Sequence, residues 1–263
     1  MPKKPLATPT AAPDPRDGVA LLAEVLRQTR ADVVSSEDKA RAEGKKFKRD
    51  LTFAIRFAKH MSEGIARALQ PHFPGTVGGE QPSRASRGTK RVDVRYSTPE
   101  MGLGFAVSLK SVHFGERDSG NAKFTHNLKR NDEELRVEAT GHHLRQPYAV
   151  MAAVVFLPFE SCDDRGRRAR DPSSFASWVE YLWPLKGREE PEDPPDQYEL
   201  VFVALYARDG GDLGFYEVGG KVACPRRGRP ASLLPLSEFL DRLRTTYITR
   251  NSQDFWFEGE EPG

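Results

Sequence analysis

An aspartate, a serine and a lysine occur close together in the segment RVDVRYSTPEMGLGFAVSLKSV. Its pattern predicts two β-strands, at 91–96 and 104–113, joined by a turn. Because strand side chains alternate between faces, Ser108 and Lys110 point to the same side of the second strand. Asp93, on the first strand, could bind a divalent cation next to that lysine and hold a phosphate there. Hydrolysis of a phosphodiester uses this combination, since the metal activates water and the ammonium offsets negative charge.

Each of these residues also has an ordinary structural interpretation. A lone acid such as Asp93 in a strand is usually solvated or ion-paired, and an aspartate followed by Ser-x-Lys is frequent by chance. Lys110 follows six mostly apolar residues, and its burial without a partner would be costly. If Lys110 shares a face with Ser108, Asp93 is its natural counter-charge. The three residues together therefore indicate more than any one of them alone.

A helix predicted at 125–144 adds a polar stripe to this region. Its polar residues recur at steps of three and four, so they share one helix face. Such a stripe is commonly a solvated outer face with charge pairs, but the apolar residues of this helix form no separate face. We therefore expect the helix to line a polar cleft beside Asp93 and Lys110. The candidates for lining this cleft and contacting phosphate are Asn127, Arg130, Asn131, Glu134 and Glu138.

A Mg²⁺ or Mn²⁺ site at Asp93 requires a second acid, because hard divalent cations prefer carboxylate oxygens. Glu63, in a predicted long helix, and Glu80, in the loop before the first strand, are candidate metal ligands. Glu100, in the turn between the strands, could reach the same place. Glu63 has basic neighbours on its own helix, so a surface ion pair is its alternative role. The sequence leaves this choice open.

The other predicted elements complete one α/β domain over 18–263, after a proline-rich disordered tail at 1–17. Apolar residues at steps of three and four predict a long helix at 37–71, beginning after Ser35 and Ser36. A mixed central sheet with helices before and after it is typical of an α/β domain. Further helices are predicted at 18–30, 173–183 and 235–247, and further strands at 147–157, 198–206 and 213–218.

Composition places the chain among ordinary globular proteins. Its formal net charge of +2 is too small to indicate a nucleic-acid partner by itself. Cys162 and Cys224 have neither zinc-site spacing nor a disulfide framework, which favours free thiols in a reducing compartment. No signal peptide is apparent, and the longest apolar stretch, at 147–159, is too short to cross a membrane. We expect a cytoplasmic protein without a membrane partner.

Two segments between 90 and 160 carry a family resemblance: VDVRYSTPEMGLGFAVSLKS and FTHNLKRNDEELRVEATGHHLRQPYAVMAAVVFLP. Together they resemble the PD-(D/E)xK nuclease superfamily, and within it an uncharacterised bacterial group. The resemblance implies a restriction-endonuclease-like mixed central sheet flanked by helices. It also implies that Asp93 is the metal-binding acid and Lys110 the lysine of the second strand. Ser108 stands where the superfamily has its second acid.

The resemblance implies a DNA endonuclease that depends on Mg²⁺ or Mn²⁺ and acts in restriction or anti-phage defence. Asp93 would bind the metal, and Lys110 would position the attacking water and offset charge. Ser108 would hydrogen-bond a metal-bound water. One active site per chain favours a homodimer for cutting both strands.

The serine at position 108 leaves other functions open. The metal could be held by Asp93, a backbone carbonyl near Leu109 and a carboxylate from elsewhere, including Glu134 or Glu138. Alternatively, the fold no longer cuts and serves as a DNA-binding module. As a third interpretation, the chain is a partner-binding protein in which the predicted strand pair is ordinary sheet.

Overall fold

The structure of the protein is a computed structural model. It describes residues 14, 16–79, 92–99, 102–112, 124–125, 127–164 and 171–251. Most of the predicted disordered tail lies outside the described residues, as do Glu80 and Glu100.

Five α-helices and six β-strands are formed by the described residues. The helices are α1 (Gly18–Ala42), α2 (Arg49–Leu69), α3 (Leu128–His143), α4 (Ser174–Leu182) and α5 (Leu236–Asn251). The strands are β1 (Val77–Gly78), β2 (Val94–Thr98), β3 (Gly102–Ser111), β4 (Val150–Pro158), β5 (Leu200–Tyr206) and β6 (Leu213–Glu217). Among the helices that the structure describes, none combines the length and apolar character that a membrane span requires.

The helix predicted at 37–71 is wrong at its start, because two helices meet in this part of the chain. α1 is 25 residues long, so Ser35 and Ser36 lie inside it and do not begin a helix. The chain leaves α1 at Glu43, and Gly44 adopts a left-handed conformation with φ of 63°. Glycine has no side chain to oppose that conformation, which lets the chain turn before α2 begins.

α1 and α2 form an antiparallel helical hairpin. Arg49, at the start of α2, pairs with Glu37 near the end of α1 at 2.7 Å. Further along, His60 of α2 lies 3.0 Å from Asp32 of α1. The hairpin is packed on the sheet through the apolar residues nearest its open end, where both helices carry their buried side chains.

The six strands form one mixed sheet in the order β1-β2-β3-β4-β5-β6. β1, β2 and β3 are antiparallel neighbours, β3, β4 and β5 run parallel, and β6 is antiparallel to β5. The parallel pairs need crossover connections, which contain α3 and α4. Every residue of β4 is buried, which confirms the prediction of a strand covered on both faces.

Helices cover both faces of the sheet. On one face, Phe57 of α2 packs against Phe156 of β4, with ring centroids 5.5 Å apart, and α5 packs nearby against β4 and β6. On the other face, Phe175 of α4 packs against Tyr216 of β6, with ring centroids 5.2 Å apart, and α3 lies beside α4. This arrangement confirms the predicted α/β fold class of a mixed central sheet flanked by helices.

Both cysteines are free thiols, as predicted. Cys162 is buried, and burial raises the pKa of its thiol to about 12, with the Asp163 carboxylate adding to the effect. Cys224 is exposed. A thiol with so high a pKa carries almost no thiolate at neutral pH, so Cys162 is not a nucleophile.

Candidate active site

The start of β2 fixes the Asp93 carboxylate against the main chain of β3. Val94 pairs with Val107 in the antiparallel ladder, and the Asp93 amide donates to the Val107 carbonyl at 3.2 Å. Oδ2 of Asp93 accepts a hydrogen bond from the Leu109 amide at 2.7 Å. The carboxylate therefore lies beside the part of β3 that carries the predicted serine and lysine.

The Lys110 side chain reaches from β3 to α3. Its Nζ lies 2.7 Å from Oε1 of Glu138 and 3.6 Å from Oε2 of Glu134. The side chains of Lys110 and Glu138 are only 14% and 5% exposed, so their ion pair is largely shielded from solvent. The Asp93 carboxylate also acts electrostatically on Lys110. We call Asp93, Lys110, Glu134 and Glu138 the Lys110 cluster.

The pKa of Lys110 lies above its ordinary value. Burial alone would lower it, because removal from water disfavours the charged ammonium. The Glu138 carboxylate, through its charge and its hydrogen bond, acts together with Asp93 and Glu134 to outweigh burial. Lys110 is therefore an ammonium group at neutral pH. It can therefore offset negative charge at the site.

Ser108 lies at the floor of the site together with Tyr198. The Ser108 side chain is fully buried, on the same face of β3 as Lys110. The Tyr198 hydroxyl donates to the Leu135 carbonyl of α3 at 2.9 Å. Burial raises the pKa of Tyr198 well above its ordinary value, Glu138 raises it further, and Ser108 acts in the opposite direction. The Ser108 hydroxyl thus acts on the Tyr198 hydroxyl, although its Oγ makes no hydrogen bond of regular geometry.

The carboxylates of this site fit a divalent cation that takes its other ligands from water and a substrate phosphate. Within the described residues, no group of three or more His, Cys, Asp or Glu side chains could hold a metal ion. Asp93 and Glu138 nevertheless act on the same two groups, Lys110 and Tyr198. Oε2 of Glu138 is buried without a hydrogen-bond partner. Because Mg²⁺ keeps several waters and uses one or two carboxylates with substrate phosphates, two acids fit its requirements.

The predicted polar stripe of α3 divides into an inner and an outer part. Glu134 and Glu138 reach Lys110, and Asn131 is half-buried. Arg130 is exposed and pairs with Glu134 at 2.9 Å. The predicted helix start at 125 is wrong, since α3 begins at Leu128. Asn127 precedes the helix, is exposed and has a left-handed backbone with φ of 63°.

Glu63 lies apart from the Lys110 cluster. It is on α2, which covers the face of the sheet opposite to α3. Its carboxylate lies 3.8 Å from Lys59 Nζ and 3.4 Å from His60 Nδ1. Among the described interactions, none joins Glu63 to Lys110 or its partners. Glu80, the other candidate metal ligand, lies outside the described residues.

A second buried charge cluster, which the sequence did not predict, lies at the start of the parallel strands. Glu199, directly before β5, has a side chain that is 1% exposed. Its Oε1 lies 3.3 Å from Arg188 Nε and 3.2 Å from Arg250 Nη1. Its Oε2 accepts from the Met151 amide at 2.7 Å and lies 3.5 Å from His143 Nε2. We call His143, Arg188, Glu199 and Arg250 the Glu199 cluster.

Main-chain carbonyl groups accept hydrogen bonds from further arginine nitrogens of the Glu199 cluster. Arg188 donates to the carbonyl oxygens of Pro147 at 3.1 Å and Pro191 at 2.6 Å. Arg250 donates to the carbonyl of Glu189. The cluster thereby fastens the proline-rich connector before β5 to the sheet and to α5. An arginine within that acidic connector, and a glutamate directly before an apolar strand, were the sequence features that could have indicated it.

Comparisons with known proteins gave a weak structural similarity and no matching family. No protein-family model matches the sequence, and no curated protein matches it. Among solved structures, the chain is weakly similar to Pyrococcus furiosus SfsA in complex with Ca²⁺. That match has 16% sequence identity and a TM-score of 0.28, and it covers 62% of this chain and 63% of the SfsA chain. A similarity at this level does not define a shared activity.

Proposed function

We propose that the protein is a metal-dependent DNA endonuclease of the PD-(D/E)xK superfamily, with the Lys110 cluster as its active site. One observation supports this proposal above all others. The Lys110 ammonium is held in a partly shielded site by Glu138 and Glu134 of α3, beside Asp93 at the start of β2. Phosphodiester hydrolysis needs cation-binding carboxylates next to a fixed positive charge.

Glu138 would supply the acid that is missing at position 108. Lys110 holds one of its carboxylate oxygens, and the other is buried without a hydrogen bond. A buried oxygen without a partner is costly, and a divalent cation would satisfy it. Asp93 and Glu138 would then hold Mg²⁺ or Mn²⁺. When bound, that ion would polarise the scissile bond and lower the pKa of a water molecule.

The other groups of the site would act on the substrate and on the acids. Lys110, charged at neutral pH, would offset the negative charge that develops on the phosphate. Glu134 would keep Lys110 oriented and is itself held by Arg130. Ser108, supported by Tyr198, would hydrogen-bond a water near the cation. Asn127 and Asn131, at the start of α3, would contact phosphate.

We further propose restriction or anti-phage defence as the biological role, acting on both DNA strands as a homodimer. The resemblance to nucleases and the single site per chain support this part of the proposal. Sedimentation of the purified chain in the presence of duplex DNA would measure the state that cuts.

A plasmid-nicking assay with Mg²⁺ or Mn²⁺ tests the activity. We expect the wild-type chain to nick, and Glu138→Gln and Lys110→Met each to lose about a hundredfold in rate or more, since each removes a charge that acts on the transition state. Glu133→Gln is the matched control on the same helix, because Glu133 is 63% exposed and faces away from the cluster. It should nick at the wild-type rate.

A second candidate function is an inactive nuclease fold that binds DNA. The serine at 108, and the lack of a three-acid group within the described residues, favour it. Under this alternative, the chain retains duplex DNA on a gel but does not nick it with either metal. If the chain neither retains nor nicks DNA, the proposal fails and a partner-binding role replaces it.

A further inference from the structure

The closed end of the helical hairpin projects beyond the core. Buried residues of α1 end at Val33, and those of α2 begin at Ala54. Between them, no residue from 34 to 53 is buried. The part of α1 beyond Val33 has nine residues, which at 1.5 Å each extends about 13 Å. We call residues 34–53 the arm.

The arm is basic, and several of its basic residues have no counter-charge. Six lysines and arginines stand against four acids between 37 and 50, a difference of +2 over this short stretch. Lys45 pairs with Glu43 at 2.8 Å, and Arg49 pairs with Glu37. Among the residues of the arm, all of which the structure describes, the basic side chains that make no ion pair are Lys39, Arg41, Lys46 and Lys48.

The arm leaves the molecule at the carboxyl end of β3, the end that carries Lys110, on the opposite face of the sheet. Ser111, the neighbour of Lys110 on β3, donates from Oγ to the Ala54 carbonyl of α2 at 3.1 Å. Arg49 lies five residues before Ala54, about 7 Å along the helix. The arm therefore begins at the end of β3 and extends past it. A rod-shaped polyanion lying across this edge of the sheet, next to the Lys110 cluster, could reach the arm on the other side of the edge.

We propose that the arm contacts the phosphate backbone of the duplex that the Lys110 cluster cuts. This inference rests on the proposed function and identifies a part of the protein that holds the substrate. Lys46 and Lys48 lie in the connection between α1 and α2, where exposed side chains can reach phosphates without reading sequence. Charge complementarity favours DNA over a second copy of this basic chain as the occupant.

Salt dependence of DNA binding measures phosphate contacts directly. The full chain is titrated into a short labelled duplex in EDTA, which prevents cutting, and affinity is measured over a range of salt concentrations. Each phosphate contact contributes about 0.9 to the slope of log affinity against log salt. We expect Lys46→Ala with Lys48→Ala to reduce the magnitude of that slope by about 2. The control pair, Lys221→Ala with Arg244→Ala, removes two exposed charges far from the arm and should leave the slope unchanged.

The outcomes separate this inference from the proposed function. If the wild-type chain nicks DNA but the arm variant keeps the wild-type slope, the arm does not hold the duplex and the function stands. If the wild-type chain does not bind or nick DNA, both ideas are overturned. A second copy could instead cover the exposed Leu51 and Ile55 of α2. In that case Ile55→Glu converts a dimer into a monomer while the arm variant keeps its slope, which also overturns the inference.

Discussion

Two buried charge clusters lie on the same sheet, and the charges at their centres have opposite signs. The Glu199 cluster, at the start of β4 and β5, surrounds one carboxylate with two arginines, a histidine and a main-chain amide. The Lys110 cluster, toward the end of β3, surrounds one ammonium with three carboxylates. In the first cluster both oxygens of the carboxylate accept hydrogen bonds, and main-chain carbonyl groups accept from the arginines, while His143 Nε2 and Arg188 Nε are buried without a hydrogen bond. The second has surplus negative charge and a buried oxygen without a partner.

This difference in charge balance indicates a structural role for the Glu199 cluster and a cation-binding role for the Lys110 cluster. A buried ion pair adds stability only if all of its charges and hydrogen bonds are matched. At the Glu199 carboxylate this condition is met, because both of its oxygens have partners, and the cluster joins β4, β5, α5 and the connector. The Lys110 cluster does not meet it, and an added cation would improve its balance. We therefore expect Glu199 to matter for stability and Glu138 to matter for cation binding.

Replacing Glu199 with glutamine should have the largest effect on stability. The substitution leaves Arg188 and Arg250 buried with no carboxylate between them, and breaking a buried charge network costs about 3–5 kcal/mol. Urea unfolding measures the loss. Glu24→Gln is the control, because the Arg67–Glu24 pair at 3.4 Å is well exposed and should change stability by less than about 1 kcal/mol. Equal losses in both variants would contradict a structural role for the Glu199 cluster.

Replacing Lys110 with methionine should cost about 3 kcal/mol, at the lower end of the range for buried pairs, since Glu138 loses its partner. Combining Lys110→Met with Glu138→Gln should recover most of that loss, because the buried negative charge is then gone. Urea unfolding of the three proteins forms a double-mutant cycle. Additive losses would show that Lys110 and Glu138 do not stabilise each other.

Alkaline pH should remove the stabilisation that Lys110 provides. Because its pKa is raised in the folded protein, its contribution is complete below about pH 10.4, the ordinary lysine value. The contribution then falls as pH rises from there through the folded pKa. The difference in unfolding free energy between wild type and Lys110→Met should therefore shrink above that pH. A difference that stays constant would place the stabilising effect outside the titration of this lysine.

Local patterns predicted most of the fold. Strands β4, which is buried along its whole length, and β3, which has six consecutive buried residues, were predicted because a strand covered on both faces requires apolar residues at most positions. The long-helix prediction was wrong at its start because α1 continues to Ala42 without buried residues after Val33, and the turn at Gly44 depends on a single glycine among polar residues. Apolar periodicity alone does not show where one helix ends and the chain turns back into the next.

The candidate site was predicted less completely. Asp93, Lys110 and Glu138 could be selected because charged residues beside apolar strands or in a polar helix stripe are unusual. Their mutual contacts depend on the crossover through α3, which places residues 28 positions apart at 2.7 Å. Tyr198 and the Glu199 cluster were missed, because their partners come from distant segments and no short motif joins them.

Added Mg²⁺ should stabilise the wild-type protein by a smaller amount than either substitution costs. At a concentration ten times the dissociation constant, binding to the folded state alone contributes about 1.4 kcal/mol. Glu138→Gln should lose this increase in Tm, because it removes the acid whose Oε2 has no protein partner. Glu133→Gln, with a 63% exposed side chain, should keep it. Thermal unfolding without DNA measures the effect separately from cutting. An equal Mg²⁺ response in Glu138→Gln and the wild type would place the cation elsewhere and leave the Lys110 cluster, like the Glu199 cluster, a structural feature.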